Sequence, residues 1–571
     1  MEYAETSTPV PRGDADPYRG KWLALSNTTL GVLLVAINST IILIALPDVF
    51  RGVGLDPLAP SNTRYFLWLL MGFMVSTAVL MVSFGRLGDI FGRVRMYNLG
   101  FAVFTFFAIM LSVDWMHGVA GTVWLIVMRM LQGVGGALLF ANSSAILTDA
   151  FPPDQRGMAL GINQVAALGG TFVGLVLGGV LGHAGWHYVF LVSVPIGVLG
   201  TFWSYVNLHE HGVRTQATID WWGNVTFAAG LVLLLIGITY GIIPYGGHSM
   251  GWTSPAVIGE LSGGLAFLAA FLWLETKVTS PMFRLRLFRI RAFAAGSSAS
   301  FLASIGRGGL MFTLIIWLQG IWLPEHGYSF GRTPLWAGIY MLPLTTGFLL
   351  AGPASGILSD RFGARPFATA GMIGAAASFA LLGLLPTNFG YPLFASLLLL
   401  NGLSMGLFAS PNRAAVMNSL PARWRGAGAG MNATFQNAAL VLSIGIFFSL
   451  IIAGMSSALP ADLDHGLITQ GVPPAAAVAV SHLPPTDALF AAFLGYNPMR
   501  TLLGPAIAYV PPGKVSYLTG RSFFPQLVSP SFTTGLHYAF TFACGVCVIA
   551  ACASLMRGTK FYYTENSPYG N

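Results

Sequence analysis

Charged residues are scarce in this sequence. Asp, Glu, Lys and Arg make up 8% of its 571 residues, whereas an average soluble protein has about 25%. This small number of charged residues cannot cover the surface of a 60.7 kDa globular protein in water. An ordinary soluble protein is therefore excluded. Cysteine is also scarce, with only Cys544, Cys547 and Cys552. No His or acid accompanies them, so we expect buried thiols and no metal site.

Long apolar runs fill most of the chain, and 41 Phe and 14 Trp exclude a disordered protein. A helix needs about 20 apolar residues to cross the core of a bilayer. Fourteen runs meet this requirement, at residues 22–46, 63–84, 94–113, 122–148, 157–181, 188–206, 222–243, 255–274, 292–318, 334–355, 366–385, 391–417, 426–453 and 534–556.

The basic residues are distributed unevenly between the two sides of these runs. Most of the 28 lie in connections on the same side as the N-terminus, among them Arg86, Arg93 and Arg95. Such an excess marks the cytoplasmic side, so we predict a multi-pass protein of the cell membrane with both termini in the cytoplasm. The net charge of +8 is divided among short connections, and we therefore expect no nucleic-acid partner.

A short pattern occurs twice. Residues 85–95 read GRLGDIFGRVR after the second run, and residues 356–365 read GILSDRFGAR after the tenth. Two copies of G-x-L-x-D-x-x-G, each followed within two residues by an arginine, indicate two homologous halves, as in transporters built from repeats. In a six-plus-six arrangement the second copy would follow the eighth run, so two extra helices, the seventh and eighth, lie between the halves.

These observations predict an all-α integral membrane fold of 14 transmembrane helices, with two pseudo-symmetric six-helix bundles and two inserted helices. The predicted units are a cytoplasmic tail (1–21), an N-terminal bundle (22–206), the inserted helices (207–276), a C-terminal bundle (277–556) with a long outer loop (454–533), and a second cytoplasmic tail (557–571). The outer loop contains short amphipathic segments, which fit either a partly ordered lid or an inert insertion.

Five motifs of this chain resemble motifs of the major facilitator superfamily, and within that superfamily those of the 14-span drug:proton antiporter branch. They are the repeated loop pattern, NSTIILIALP (38–47), LIVMRMLQGVGGA (125–137), GTFVGLVLGG (170–179) and WHYVFLVSVPIG (186–197). The resemblance implies a secondary transporter that exports amphipathic or hydrophobic compounds by alternating access. It also implies coupling to a proton gradient, without any other cofactor.

The two copies of the loop pattern are candidate gates. Their glycines allow a tight turn between helices, and Asp89 can cap the next helix or pair with Arg93 and Arg95 to latch the two halves. The alternative is a turn with topogenic arginines only. The candidate gating residues are Gly85, Asp89, Gly92, Arg93, Arg95, Gly356, Asp360, Arg361, Gly363 and Arg365.

Two arginines lie deep inside apolar runs. Arg129 lies in the fourth run with Gln132 one turn later, and Arg307 lies in the ninth. An intramembrane arginine costs at least about 2.5 kcal/mol unless it faces protein or water, so we expect both to face a central cavity. The alternative for Arg129 is a structural hydrogen-bond donor that holds helix ends together. Arg307 would pair in the cavity with an anionic substrate group, a lipid phosphate or a helix C-terminus, or else with another group of the protein such as Asn38.

The expected proton carrier is missing from the first run. The 14-span branch usually has Leu-Asp-x-Thr there, whereas this sequence has an amide, Asn38, which does not titrate. Glu260 in the eighth run is the clearest intramembrane acid and hence a candidate for coupling. The alternative is a carboxyl group near the outer interface.

Glycines repeat every fourth residue in the fifth run. Gly170, Gly174 and Gly178, together with Gly179, predict a face that packs closely against another helix. The antiporter motif usually has a proline after the middle glycine, and this chain has Leu175 instead.

Three functions remain open on the sequence alone. The leading one is export of amphipathic or hydrophobic compounds, of the multidrug type. The second is export of an endogenous lipid or envelope precursor, and the third is a membrane sensor or scaffold that does not transport. We expect no enzyme activity, because no nucleophile with a base, phosphate loop or metal spacing occurs. The expected partners are a small amphipathic substrate or lipid and the membrane lipids, and we expect a monomer.

Overall fold

The computed structural model describes residues 20–55, 62–152, 155–210, 220–241, 245–246, 250–278, 281, 283–421 and 424–558. The predicted tails therefore lie almost entirely outside the described residues. The described part contains fourteen helices that are long and apolar enough to cross a membrane. This confirms the predicted all-α membrane fold with 14 spans.

The first six spans form an N-terminal bundle. Helix α1 packs on α4, α5 and α7, and α4 packs on both α2 and α3. The two short helices α6 and α7 together make the sixth span. The bundle consists of α1 (Lys21–Val53), α2 (Thr63–Phe91), α3 (Arg93–Ser112), α4 (Gly118–Ala150), α5 (Arg156–Ala184), α6 (Trp186–Leu191) and α7 (Ser193–Asn207).

Two helices follow before the second bundle begins: α8 (Trp221–Gly241) and α9 (Pro255–Glu275). They pack on each other, and α8 also packs on α2 of the first bundle. Helix α9 contributes little to the interior, and large apolar side chains such as Leu265, Leu272 and Trp273 are exposed along it.

The remaining helices form the C-terminal bundle and a small helical unit attached to it. A π-helical turn, Trp317–Trp322, joins α10 to α11 within one span. The helices are α10 (Arg291–Ile316), α11 (Leu323–Glu325), α12 (Thr333–Tyr340), α13 (Leu342–Phe362), α14 (Ala364–Gly383), α15 (Tyr391–Asn418), α16 (Arg425–Thr469), α17 (Pro474–Ser481), α18 (Pro485–Phe493), α19 (Met499–Leu503), α20 (Pro512–Leu518) and α21 (Phe523–Leu555).

The two bundles use the same set of neighbours. In the first, α1 packs on α5, α2 on α4, α3 on α4, and α3 on α7. In the second, α10 packs on α16, α13 on α15, α14 on α15, and α14 on α21. By this comparison, α10 is the structural equivalent of α1, and α16 is the equivalent of α5. The bundles meet along two corresponding contacts, α2 with α16 and α5 with α12.

The repeated pattern forms equivalent turns in the two halves. A single glycine separates α2 from α3 and another separates α13 from α14. Gly92 has φ 110° and Gly363 has φ 84°. L side chains rarely adopt such angles, so glycine is required where the helices reverse this sharply. We call the side of the molecule with these turns the motif side, and the opposite side the loop side.

Helix α16 is longer than the apolar run that predicted it. It has 45 residues, or about 67 Å at a rise of 1.5 Å per residue, more than twice the thickness of a bilayer core. Beyond residue 453, where we ended the thirteenth run, the buried residues Met455, Leu459, Leu463 and Leu467 continue at helical spacing. The predicted loop 454–533 therefore begins and ends inside α16 and α21. We call residues 470–522 between them the cap.

Candidate transport pathway

A cleft between the bundles is visible in the exposure of α10. The partly exposed residues of this helix all belong to its motif-side portion, and the last of them is Met311. Every residue from Phe312 to Pro324 is buried. A helix facing lipid would be exposed along its whole length, so this face borders a cleft that is open at the motif side and closed at the loop side.

Helix α1, the counterpart of α10, shows the same pattern. Thr29, Leu30, Leu33 and Ser39 are partly exposed, whereas residues 40–47 are all buried. The two helices that begin the two halves therefore lose their exposure at corresponding depths. This places the closed end of the cleft a little beyond Ser39 and Met311.

The first part of the loop-side closure is a contact between α5 and α12. A Cβ at Gly179 would lie 2.3 Å from the Cα atom of Leu335, and one at Gly338 would lie 3.1 Å from the carbonyl oxygen of Leu175. At the motif side the same region is open, because a Cβ at Gly161 of α5 or Gly352 of α13 would have no atom within 4 Å.

The cap supplies the second part of the closure. All nine residues of α18 are buried. The Phe490 ring lies 4.2 Å from that of Phe66 in α2 and 5.7 Å from that of Phe448 in α16, measured between centroids. Phe493 also contacts Phe66, at 5.7 Å. Helix α18 therefore joins the two bundles at the loop side.

Asn38, Arg129 and Gln132, predicted separately, lie together within the N-terminal bundle. The Arg129 Nη1 atom donates to Asn38 Oδ1 and to Gln132 Oε1, the latter at 3.1 Å. Asn38 Nδ2 donates to Ser193 Oγ at 3.2 Å. The Phe73 ring covers the guanidinium, with its centroid 4.7 Å from Cζ. The cluster thus joins α1, α2, α4 and α7.

This cluster is enclosed, contrary to our expectation that Arg129 faces the cavity. Arg129, Asn38 and Gln132 are each 0% exposed. Within the described part of the chain, Arg129 has no carboxylate partner, and its Nε and Nη2 atoms have no hydrogen-bond acceptor. Asn38 occupies the place where an acid would neutralise this charge.

Arg307 is placed quite differently. It lies near the middle of the 35-residue span Arg291–Glu325 and belongs to the exposed face of α10. Among the described residues it forms no hydrogen bond or ion pair. Asn38, which we considered as its partner, is bound to Arg129 and Ser193 instead.

Glu260 lies apart from both arginines. It is the sixth residue of α9, near the loop side, and α9 packs mainly on α8. Its Oε2 atom is buried without a hydrogen-bond partner among the described residues. The structure does not bring Glu260 to the exposed faces of α1 and α10.

The first gating loop is held by ion pairs within the N-terminal bundle. Arg93 donates to Asp89 Oδ1 from Nε at 2.9 Å and from Nη2 at 2.8 Å, and its Nη1 lies 2.7 Å from both oxygens of Asp149. Arg95 is exposed and Gly85 is partly exposed. The ion pairs seen here therefore join α2, α3 and α4, and not the two halves.

Glu210 has the capping role that we considered for Asp89. Its Oε1 atom accepts hydrogen bonds from the backbone N–H groups of Arg93 at 2.8 Å and Val94 at 3.4 Å. An acid at the positive end of α3 is favourable for the helix. The same carboxylate lines a cavity of about 340 Å³ on the motif side, together with Lys21, Arg93 and Asp149.

The second gating loop has fewer interactions among the described side chains. Arg361 and Arg365 are exposed, and the Cζ atom of Arg361 lies 5.4 Å from the centre of the Phe362 ring. Gly356 of the same loop lies near Ser410 of α15. The side chain of Asp360 lies outside the described part of the structure. The two copies thus share their turn but differ in their described contacts.

The glycines of α5 lie against two different helices. A Cβ at Gly170, Gly174 or Gly178 would come within 2.8, 2.6 and 2.5 Å of the carbonyl oxygens of Leu33, Ile37 and Ile41 in α1. Gly179 instead faces α12. The stripe therefore serves packing within the N-terminal bundle, and its last member lies at the contact between bundles.

Sequence reasoning missed Ser193, Glu210, Phe66 and the α18 aromatics. Ser193 and Glu210 are single polar residues far along the chain from their partners, and no motif connects them. Phe490 and Phe493 fell in a segment recognised as amphipathic, but what covered its apolar face could be found only from the tertiary structure.

This architecture defines a class of protein. Two pseudo-symmetric helical bundles around a cleft that opens at one side are the design of an alternating-access secondary transporter. The family comparison agrees: the Major Facilitator Superfamily model matches residues 28–444. The chain belongs to the major facilitator superfamily, and its relatives are of the 14-span drug:proton antiporter type.

Relatives of this chain include an export protein and multidrug resistance proteins. Over 552 residues the chain is 26% identical to the tetracenomycin C resistance and export protein of Streptomyces glaucescens, covering 96% of this chain and 93% of that protein. It is 27% identical over 457 residues to multidrug resistance protein Stp of Mycobacterium tuberculosis, covering 79% of each. The chain is thus an efflux-type membrane transporter and not an enzyme, and the lipid-export and scaffold alternatives are not favoured.

A solved structure shares the fold. A bacterial homologue of the human lysosomal transporter Spinster, in an inward-facing and unoccupied conformation, superposes with a TM-score of 0.56 at 16% identity. The match covers 96% of this chain and 99% of that one.

Transporters of this family need no cofactor, and a chain with 14 apolar spans fits the plasma membrane.

Proposed function

We propose that the protein exports small amphipathic compounds from the cytoplasm by proton-driven alternating access. The observation that supports this is the cleft, which is open at the motif side and closed at the loop side by the α5–α12 contact and α18. The excess of basic residues in the motif-side connections supports assigning this side to the cytoplasm, with both termini there. The structure is then the inward-facing state, ready to load substrate from the cytoplasm.

The candidate residues take distinct roles in this proposal. The Arg93 ion pairs to Asp89 and Asp149 hold the cytoplasmic ends of α2, α3 and α4 as one body during the movement. The enclosed cluster of Asn38, Arg129 and Gln132 keeps the N-terminal bundle rigid at mid-membrane. Arg307 lies in the pathway. Glu260 is left out, because α9 is peripheral. One chain supplies both walls of the cleft, so we propose a functional monomer.

Proton coupling rests on the relatives, and its titrating group is not at position 38, where an amide cannot take up a proton. The test is purified protein in liposomes that contain a pH-sensitive dye, with an imposed pH gradient and a panel of tetracenomycin C, riboflavin and ethidium as probes. We expect protons to move against the direction of any transported probe. Asp89→Asn should slow turnover without weakening binding, and the exposed-cap variant Arg521→Gln should behave as wild type.

The outcomes separate the parts of the proposal. Transport of a probe without proton movement would reject coupling and leave export in place. No transport of any member of the panel would reject the export of such compounds.

A further inference from the structure

We propose that Arg307 anchors an acidic group of the substrate, so that the transported compounds are amphipathic organic anions. This inference rests on the proposed export function and specifies its substrate class. It is carried by the position of Arg307, by the charges around the cleft and by the apolar residues beside it.

Arg307 lies at the closed end of the cleft. On one side of it along α10, Gly306 faces the interior of its own bundle near Cys547 and Phe379, and on the other, Gly309 faces Phe447 of α16. Arg307 itself is partly exposed, and exposure of α10 ends one turn later at Met311. A substrate that enters from the motif side therefore meets the guanidinium just before the pathway ends.

Nothing in the described protein neutralises this charge. The acids Asp48, Asp89, Asp149 and Glu325 lie near helix ends, and Asp462 and Asp464 lie in the extension of α16 beyond residue 453. An arginine that only held helices together would bind protein acceptors, and Arg307 has none among the described residues. A mid-membrane cation is therefore left to be paired by a mobile anion.

At mid-membrane, the described residues of the opposite bundle add a positive charge, Arg129, and no acid. Arg129 is enclosed behind Asn38, whose side chain is neutral, and the three described ion pairs all lie at helix ends. Low-dielectric walls carry the potential of such charges into a cleft between them. The cleft therefore attracts anions and disfavours cations.

The neighbours of Arg307 on the exposed face are apolar. Phe301, Leu302 and Met311 are partly exposed on the same helix, and Phe301 makes an edge contact with Phe435 of α16, 6.5 Å between centroids. A single guanidinium beside apolar side chains suits a molecule that has one acidic group and an apolar body. The planar guanidinium binds a carboxylate or a phosphate through two hydrogen bonds.

The test is a binding measurement with three probes that share one body. A dansyl-labelled undecanoic acid, its methyl ester and the corresponding primary amine are titrated into the purified protein in neutral detergent. We expect the acid to bind best. In Arg307→Gln the acid should lose about 10- to 100-fold in affinity, the range for a hydrogen bond to a charged group, while the ester changes little. Arg307→Lys should retain part of the preference.

The control is Arg521→Gln, which removes the same charge from the exposed surface of the cap and should leave all three affinities unchanged. Gel filtration reports whether each variant is folded. If Arg307→Gln does not fold, the proposal is tested in two other ways. Wild type should bind the acid more tightly than the ester and the amine, and Arg307→Lys should retain part of that preference. Equal binding of the three probes to wild type, or an equal loss of all three in Arg307→Gln, would overturn the proposal.

The acidic group can belong to a soluble compound or to a lipid headgroup, and a second arm separates these. The acid is titrated into protein in nanodiscs of phosphatidylcholine alone or with phosphatidylglycerol. If phosphatidylglycerol competes with the acid in wild type but not in Arg307→Gln, the anion site is supported and lipid is identified as an occupant. If phosphatidylglycerol does not compete in wild type, a soluble substrate is supported. Because binding is measured without transport, loss of the export function in liposomes would not be mistaken for loss of this site.

Discussion

At the scale of single residues, the two intramembrane arginines show how much depends on the surroundings. Both are polar interruptions of an apolar run, and on the sequence both were expected in a cavity. Arg129 is 0% exposed and bound by neutral amides, whereas Arg307 is partly exposed and unpaired among the described residues. Position within a run identifies a buried charge, but only packing decides which face of the helix is open.

Replacing Asn38 by aspartate would give Arg129 the counter-charge that it lacks. The two side chains have nearly the same shape, so Asn38→Asp introduces a carboxylate against the guanidinium without repacking. We expect it to raise stability by about 1.5–3 kcal/mol, as for other hydrogen bonds to charged groups, and to give transport a new pH dependence. Thermal unfolding in detergent and transport rates across a pH series measure the two effects.

Asn38→Leu provides the opposite change. It removes the acceptor of the Arg129 Nη1 hydrogen bond and should lower the unfolding temperature, because a buried charge then loses a partner. An Asn38→Asp protein with unchanged stability and an unchanged pH profile would contradict both the described cluster and its link to coupling.

Arg557 is a buried charge outside the spans. It follows α21, is 5% exposed, and its three side-chain nitrogens have no hydrogen-bond partner among the described residues. Burial lowers the pKa of Arg557 to about 10. The folded protein therefore holds this proton less tightly than the unfolded chain, and the resulting penalty is present in full below pH 10 and declines as the pH rises through that value.

Arg557→Met should therefore stabilise the protein. We expect a gain of about 1–4 kcal/mol at neutral pH, as when buried charges are replaced by apolar side chains, and a smaller gain at about pH 10.5. Thermal unfolding at both pH values measures this, with the exposed Arg521→Met as the comparison. A loss of stability at neutral pH would show that Arg557 is paired in the folded protein.

At the scale of elements, the cap changes the meaning of the long outer segment. It is neither a loose loop nor a separate domain, because α16 and α21 extend to carry it and α18 lies buried between the bundles. It is attached mainly to the C-terminal half and reaches the N-terminal half through Phe66. Opening at the loop side therefore requires the rings of Phe490 and Phe493 to leave Phe66.

Phe66→Ala should favour the state that is open at the loop side. Each aromatic pair contributes about 0.5–1.5 kcal/mol beyond its buried area, so losing two shifts the equilibrium by roughly 5- to 150-fold. Ser39→Cys, at the closed end of the cleft, serves as the reporter in a background with Cys552→Ser. In cells, a membrane-impermeant maleimide should label it faster when Phe66 is alanine.

Tyr517→Ala is the matched control, since the described contacts of the Tyr517 side chain are with Phe523, at 5.2 Å between ring centroids, and with Gln526, both in α21. It should leave the labelling rate unchanged. Equal labelling in Phe66→Ala and wild type would mean that α18 does not restrain opening.

At the scale of the whole molecule, an anionic substrate makes export sensitive to the membrane potential. With the interior negative, each negative charge that leaves the cell gains about 2.3 kcal/mol per 100 mV. Export of the dansyl-labelled acid from liposomes should therefore rise when a potassium diffusion potential makes the loading side negative.

The methyl ester of the same probe is the control for this measurement. Its export should respond less to the potential, by the equivalent of one charge. The same response for acid and ester would argue that the acid crosses in its neutral form, and would remove the electrical part of the prediction.

Much of the architecture followed from the sequence alone. The number of spans follows from apolar runs of about 20 residues, because a backbone in lipid must satisfy its hydrogen bonds within a helix. The repeated pattern at residues 85–95 and 356–365 gave the two halves and the two inserted helices, since each glycine allows a turn that other residues resist. The scarcity of charged residues indicated that the protein lies in a membrane. The distribution of the few basic residues predicted which connections lie on the cytoplasmic side.

Tertiary structure alone decided which faces and which distant residues come together. Helices α1 and α10 are apolar around most of their circumference, so no periodicity shows that one face lines a cleft or where that cleft closes. Ser193, Glu210 and Phe66 acquire their roles from partners more than a hundred residues away in sequence. Hydrophobicity is a local property and sets the spans, whereas the pairing of buried charges and the closure of the pathway depend on which surfaces pack against each other.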